Sequence, residues 1–326
     1  MLKWTLRILG VLLALLVVAF LIFRTPDTDP AQMRAKYGGE PSQFVTLDSG
    51  LEVHLRDEGP RDAPAIILLH GSNADLHTWQ PWVEGLKADY RVIRFDQPGH
   101  GLTGATADGI YTIETYVETI DDVADALGLE SFILGGNSMG GGHTLHYAMA
   151  HPDRVRAMIL VDASGPPRMQ SADDDEGGNI GFTLARTPVV NRIMKHITPR
   201  SLVEQSLSQS VSNKDVVTSA AVDRYWELLR YPGNREATIF RFGRDHTPLT
   251  PEQANSLAIP ALVIWGEEDA LIPLAAGEWL DEHLPDSELV ALPGIGHLPM
   301  EEAPEETLVA LRSWLAERGF APVDGN

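Results

Sequence analysis

Cysteine is absent from all 326 residues. Its absence excludes a disulfide framework, thiolate-ligated zinc, an iron–sulfur cluster, a cysteine nucleophile and a lipid-modified cysteine. Any chemistry must run on oxygen and nitrogen groups. Basic side chains are scarce too: 25 Lys and Arg stand against 46 Asp and Glu, a formal net charge of −21. No Lys/Arg-rich block offsets that excess locally, so a phosphate backbone is repelled and nucleic acid is excluded as a partner. Internal repeats and long low-complexity tracts are also missing. With 44% apolar residues, the chain has enough material for a large buried core.

One segment departs from the average. From Trp4 to Phe23 the only charge is Arg7, and Ile8 to Phe23 is apolar apart from Gly10. About twenty helical residues rise roughly 30 Å, the thickness of a hydrocarbon core. The run exceeds the apolar part of a usual secretory signal, and no Ala-x-Ala-like cleavage site follows it before Pro26, so an uncleaved membrane anchor is expected. Lys3 and Arg7 precede the span, while Arg24, Arg34 and Lys36 follow it amid Asp27, Asp29 and Glu40. That balance predicts a cytoplasmic N-terminus and a catalytic domain on the extracytoplasmic side. Removing residues 1–24 takes away three cations and no acid, so the remainder carries −24. Such acidity is expected to discourage contact with anionic lipid beyond the anchor.

Residues 25–43, with their Pro, Asp and Gly, read as a linker. Short alternating runs at Phe44–Leu47 and Leu51–Leu55 flank Asp48-Ser49-Gly50 and predict an opening hairpin. Largely apolar runs follow at Ala65–Leu69, Tyr90–Phe95, Phe132–Leu134, Ala157–Val161, Ala261–Trp265 and Glu288–Leu292. Runs of this kind suit strands covered on both faces, as a parallel sheet requires. Helical spacing appears between them, with Tyr116, Val117, Ile120, Val123 and Leu127 on one face of Ile113–Leu127, and Leu308, Leu311, Trp314 and Leu315 on one face of Pro304–Arg318. The alternation predicts a doubly wound α/β fold. Residues 166–256 break the rhythm and read as a helical cap inserted between two strands. The expected organisation is an anchor at 1–24, a linker at 25–43, an α/β core at 44–165 and 257–320, the cap between its two parts, and a tail at 321–326.

After the strand Phe132–Leu134 comes Gly135-Gly136-Asn137-Ser138-Met139-Gly140-Gly141-Gly142, then a helical stretch. Gly-x-Ser-x-Gly in a strand-to-helix turn leaves no room for side chains flanking the serine, whose hydroxyl then stands at a helix N-terminus. Neither the Gly-x-Gly-x-x-Gly spacing nor a Gly-Lys-Ser/Thr ending is present, so a phosphate cradle does not explain the glycines.

The wider context resembles the α/β-hydrolase family, over roughly residues 44–319. Leu69-His70-Gly71-Ser72-Asn73 is similar to its oxyanion loop, and Phe95-Asp96-Gln97-Pro98-Gly99-His100-Gly101 to the segment after its fourth strand. Trp265-Gly266-Glu267-Glu268-Asp269 is similar to its acid-bearing turn, and Gly294-Ile295-Gly296-His297-Leu298-Pro299 to its histidine loop. The resemblance implies a mostly parallel doubly wound sheet with a cap, and a triad in the order Ser138, Asp269, His297. Ser138 needs a base to take its proton as it attacks; His297 is that base and Asp269 its orienting carboxylate. The backbone N–H groups of Ser72 and Met139 are expected to receive the developing oxyanion. His70, Gly71, Asn73, Trp79 and Leu298 are the expected pocket residues, with His70 also placed to brace its loop.

Rivals exist for each role. Asp162, directly after a predicted strand, competes with Asp269; Glu267 and Glu268 read as solvated loop charges. His100 reads as structural, and His143 and His146 as core-facing despite a metal-like spacing, because no carboxylate joins them. His77 and His246 are candidate substrate contacts. Asp173-Asp174-Asp175-Glu176 lacks the spacing of a calcium loop and reads as a solvated cap loop. Phe182, Leu184, Trp226, Leu228, Leu229 and Phe240 supply either cap core or pocket lining. The reading is a membrane-anchored serine hydrolase of a small-molecule carboxylic ester with an apolar portion, requiring no metal or organic cofactor. Its alternatives are a carbon–carbon bond hydrolase of ring-fission products, whose elbow Gly136–Gly141 resembles, and a non-catalytic ligand-binding relative. Against the former, Leu298 stands where those enzymes generally carry Trp. Oligomeric state is left open.

Overall fold

The computed structural model describes residues 2–169, 179–244 and 247–320. Apolar runs without alternation need cover on both faces, and they find it in one eight-stranded sheet. Its strands are β1 (Ser42–Thr46), β2 (Glu52–Glu58), β3 (Ala65–Leu69), β4 (Arg91–Phe95), β5 (Phe132–Asn137), β6 (Val155–Val161), β7 (Ala261–Gly266) and β8 (Ser287–Leu292). They lie in the order β1-β2-β4-β3-β5-β6-β7-β8. Only β2 runs against its neighbours; every other pairing is parallel. From β3 the chain steps one way to β4, then returns across β3 to reach β5. The ends of β3 and β5 therefore flank the point where the winding reverses, the place where open α/β sheets bind ligands.

Before the core lie α1 (Leu2–Phe23) and α2 (Pro30–Tyr37); within it come α3 (Gln80–Leu86), α4 (Ile113–Ala126) and α5 (Met139–Ala150). Between β6 and β7 stand the cap helices α6 (Ile180–Arg186), α7 (Val190–Met194), α8 (Arg200–Ser210), α9 (Ser219–Leu229), α10 (Asn234–Phe242) and α11 (Pro251–Asn255). The core closes with α12 (Leu274–His283), α13 (Pro299–Glu302) and α14 (Pro304–Glu317). Ile120 and Val123 of α4, Leu145 of α5 and Leu280 of α12 cover one face of the sheet. Trp82 and Leu86 of α3 with Leu311 and Trp314 of α14 cover the other. Each such side chain, fully withdrawn from water, contributes about 1.5–3 kcal/mol.

Three expectations change. The segment expected as a linker contains α2, because Asp29 caps it by accepting the Gln32 N–H at 2.8 Å and Pro30 starts it. Its Met33 then buries against Leu102 of the core and Leu228 and Tyr231 of the cap. β1 also begins at Ser42, inside the expected linker. Finally, β5 runs on through Gly135, Gly136 and Asn137, because β3 and β6 on either side extend the ladder to them. Residues Lys3–Phe23 form a helix long and apolar enough to cross a membrane, with mean hydropathy 2.9 and no part buried in the protein. Asp173–Glu176, His246 and the tail 321–326 lie outside the described residues.

Candidate active site

Steric necessity explains the turn after β5. A Cβ on Gly136 would sit 2.2 Å from the carbonyl carbon of Gly140, and one on Gly140 would sit 2.3 Å from Leu69 O. Only glycine permits β5, β3 and α5 to meet this closely. Ser138, at φ 53, occupies the left-handed region that non-glycine residues avoid. It is held there from β6: its N–H donates to Val161 O at 3.0 Å, and its carbonyl accepts from Gly142 N at 3.1 Å and Ser164 N at 2.9 Å. Strain fixed by surrounding bonds is a means of presenting a side chain.

Ser138 and His297 line one cavity of about 130 Å³, with Gly71, Asn73 and Leu298 in its floor and cap residues in its roof. His297 follows β8 and Asp269 follows β7, so neighbouring parallel strands bring them together. His297 Nδ1 lies 2.6 Å from Asp269 Oδ2. The second oxygen of Asp269 accepts the N–H groups of Leu271 at 2.7 Å and Ile272 at 3.1 Å, which fixes the carboxylate. With Nδ1 engaged, Nε2 is the histidine nitrogen left for Ser138, whose hydroxyl makes no hydrogen bond among the described residues. Across the cavity, Ser72 and Met139 are joined by a hydrogen bond from Ser72 Oγ to Met139 Sδ at 3.3 Å. Neither backbone N–H donates elsewhere among the described residues, leaving both for an incoming oxyanion.

Asp162 stands behind this pair without touching the histidine. Its Oδ1 accepts Gly266 N–H at 3.0 Å. Burial, then the neighbouring Asp269 carboxylate, pushes its pKa well above the ordinary range, which favours the neutral acid, and its Oδ2 is buried without a hydrogen-bond partner among the described residues. Asp162, Asp269 and His297 place their donor atoms within 4.8 Å of one another, a spacing that metal sites share. Here two of the atoms are already bonded together, and a neutral carboxyl is a poor cation ligand.

Two residues placed in the pocket by sequence belong elsewhere. His70 is fully buried with both nitrogens spent: Nδ1 lies 2.8 Å from Gly71 O, and Nε2 accepts the Gln97 N–H at 3.0 Å. It braces the loop, and burial lowers its pKa, keeping it neutral. Trp79, also fully buried, packs on Trp82 at 5.0 Å beneath the sheet because its short 3-10 turn faces the core. Three other candidate histidines have partners as well. His77 Nδ1 is 2.6 Å from Asp75 Oδ1, His143 Nδ1 is 2.6 Å from Gln97 Oε1, and His146 Nδ1 is 2.8 Å from Gly142 O. Buried His100 is held well below its usual pKa by desolvation and Arg241. Glu267 and Glu268 are exposed. Of the cap candidates, Phe182 and Leu229 line the cavity, whereas Leu228 and Phe240 pack within or against the cap and Trp226 Nε1 donates to Thr198 O.

Sequence reasoning missed the seam between histidine loop and cap. Ser210 O, at the end of α8, accepts the His297 N–H at 2.9 Å. Buried Glu302 accepts from Ser212 N at 2.7 Å, Asn213 N at 2.9 Å, and Gly296 and Leu298 N at 3.2 Å. One carboxylate thereby ties both sides of the cavity. Beside it, Arg224 of α9 reaches Asp75 at 3.2 Å, and Glu301 accepts from Thr78 and from Tyr225 at 3.2 Å. Asn137 was also missed, although its Nδ2 donates to His297 O at 3.1 Å and Val161 O at 3.2 Å. Adjacency to Ser138 and to His297 was the available signal; the partners, far away in sequence, were invisible.

The geometry has counterparts among known proteins. A family model described as alpha/beta hydrolase fold matches residues 64–304. The chain is 27% identical to a 2-hydroxy-6-oxononadienedioate/2-hydroxy-6-oxononatrienedioate hydrolase of Comamonas testosteroni, over 78% of this chain and 90% of that protein. It is 24% identical to a bifunctional esterase/perhydrolase of Acinetobacter calcoaceticus, over 80% and 95% of the two chains. In three dimensions it is similar to a crystal structure of a membrane phospholipase A, with TM-score 0.74 and 24% identity, covering 97% of this chain and 99% of that one.

Proposed function

The chain belongs to the alpha/beta hydrolase fold family, and from that premise we propose that it is a serine hydrolase cleaving a carboxylic ester with an apolar acyl portion. One observation carries the reading: an elbow serine and a histidine already paired with a buried carboxylate converge on a single, mainly apolar cavity. Ser138 Oγ attacks the ester carbonyl while His297 Nε2 takes its proton, and Asp269 stabilises the resulting imidazolium. The carbonyl oxygen, now an anion, is received by the N–H groups of Ser72 and Met139, each worth about 3 kcal/mol of barrier. Collapse expels the alcohol, which leaves with the proton from His297. Water then attacks the acyl-serine with the same base assistance, releasing the acid and restoring Ser138. Gly71, Asn73 and Leu298 contact the substrate in this reading.

Carbon–carbon cleavage by the same residues is the second reading, favoured by the Comamonas relative. The charge of the cavity wall supports the ester instead. A dicarboxylate such as that relative's substrate needs free cations, and the two in this wall are engaged: Lys195 with Glu236 at 2.8 Å and Arg235 with Asp27 at 2.5 Å. We read α1 as a membrane anchor, with the core on the extracytoplasmic side, on its length, its hydropathy and the placement of Lys3 and Arg7. A p-nitrophenyl ester series run beside a ring-fission dienone tests the function. Ester turnover is expected, with kcat falling by about 10⁶ in Ser138→Ala along with loss of fluorophosphonate labelling. Turnover of the dienone alone would overturn the ester reading in favour of the second.

A further inference from the structure

Directly after α1 the chain is bound by the cap. Phe20 sets its ring against His196 with centroids 6.1 Å apart. Two residues beyond the helix, Thr25 N donates to His196 O at 2.8 Å and Thr25 Oγ1 accepts Thr198 N at 2.7 Å. Arg235 Nη1 donates to Thr25 O at 2.8 Å, and Thr28 N donates to Arg230 O at 2.9 Å. Thr198 and Arg235 also line the active-site cavity. The joint between span and cap is therefore a wall of the cavity, with no spacer between them.

The neighbouring surface has the chemistry of a membrane contact. Helix α7 turns Asn191 and Met194 into the cavity and leaves Ile193 52% exposed, with Val189 just before it 66% exposed. Val189 sits at φ 71, a conformation costly for a β-branched residue, in the turn that presents it. Charge is distributed unevenly too. In a domain of net −24, residues 179–203 contain Arg186, Arg192, Lys195 and Arg200 and no acid; Lys195 pairs with Glu236 and Arg200 with Glu204 and Asp223, which leaves the exposed Arg186 and Arg192, with Arg24 at the end of the span. The expected repulsion of anionic lipid is offset on this side, where those three arginines attract it.

We propose that the α6–α7 limb of the cap rests on the bilayer beside α1, that the cavity opens there, and that the substrate is an acyl ester drawn from an anionic phospholipid membrane. The inference rests on the proposed anchor and ester chemistry, and adds where the substrate comes from. A lipid entering along α7 passes between Met194 and Phe182 and reaches Ser138 acyl chain first, without crossing water.

The test uses the full chain reconstituted in phosphatidylglycerol/phosphatidylethanolamine vesicles. Fatty-acid release from them is measured beside p-nitrophenyl butyrate turnover in detergent. The double variant Val189→Asp/Ile193→Asp, outside the cavity, is expected to lose vesicle hydrolysis roughly tenfold or more, the effect of withholding two apolar side chains from lipid, with butyrate turnover unchanged. Unchanged vesicle hydrolysis overturns the inference. If both activities fall, Ile193→Cys decides, since the chain has no other cysteine to label. A nitroxide there shielded from an aqueous nickel quencher, as one at Val11→Cys on α1 is, supports the contact; an aqueous nitroxide at 193 with a shielded one at 11 overturns it. Failure of the wild type to float with vesicles would instead refute the anchor, and absence of butyrate turnover the ester chemistry.

Discussion

Floor and roof of the cavity are built by opposite rules. The floor, formed by the ends of β3, β5, β7 and β8, consists of contacts that tolerate no added atom: Gly136 against Gly140, Gly140 against Leu69, Asp269 against three donors. The roof limb α6–α7 has no buried side chain at all. Catalysis demands geometry fixed to fractions of an ångström, whereas choosing among apolar chains demands only volume and surface. Between them lies the seam of Ser210, Glu302 and the histidine loop, where the roof acquires the precision of the floor.

Substitutions that should matter most fall in the floor. Asp269→Asn keeps the shape but removes the charge facing His297 Nδ1, and is expected to lower kcat about 10⁴-fold with KM little changed; a loss below tenfold would pass the role to Asp162. At the seam, Glu302→Ala leaves four N–H groups, those of Gly296 and Leu298 in buried bonds, without their acceptor. It is expected to lower kcat on the order of 10²-fold by loosening His297, with Glu302→Gln recovering much of it. Equal losses in both variants would break the claim that the seam shares the floor's precision. In the roof, Phe182→Ala should shift the preferred acyl length and change kcat/KM by roughly tenfold or less, seen in the ester series. A 10³-fold loss of kcat there would erase the distinction.

The smallest effect concerns stability. A folded-state pKa raised above the unfolded value means the native state holds the Asp162 proton more tightly. That stabilises the fold relative to the ionised form at low pH and is lost as pH rises from about 4 toward the raised value. Asp162→Asn keeps an acceptor for Gly266 N–H and places an uncharged amide beside Asp269 without titrating. Its Tm should match the wild type near pH 4 and exceed it increasingly as pH rises, with 1 kcal/mol appearing as roughly 2–4 °C. A Tm difference constant with pH would show that Asp162 is ionised in the fold.

What the sequence made legible was whatever is local. Ala65–Leu69 is apolar at every position, and β3 has those same bounds. The elbow glycines, the order of Ser138, Asp269 and His297, and the position of the cap could be read for the same reason. Facing was not legible: His70 adjoins cavity-lining Gly71 and Trp79 follows five residues after cavity-lining Ala74, yet both are fully buried in the core. Nor were long-range acceptors, so Glu302 looked like one acid among many. The helix α2 was available in principle, since Asp29-Pro30 is a start signal, but the composition around it outweighed that cue.

The bond from His297 N to Ser210 O has a consequence for modularity. Inserted domains are often treated as exchangeable parts on a self-sufficient chassis, yet here the insert supplies an acceptor to the backbone of the histidine itself. A core trimmed of residues 166–256 would lose the strut that seats that loop. A chimera carrying a foreign cap would need to bring a carbonyl to the same spot and amides for Glu302. Specificity in this chain therefore has to evolve inside the cap, limb by limb, rather than by replacing it whole.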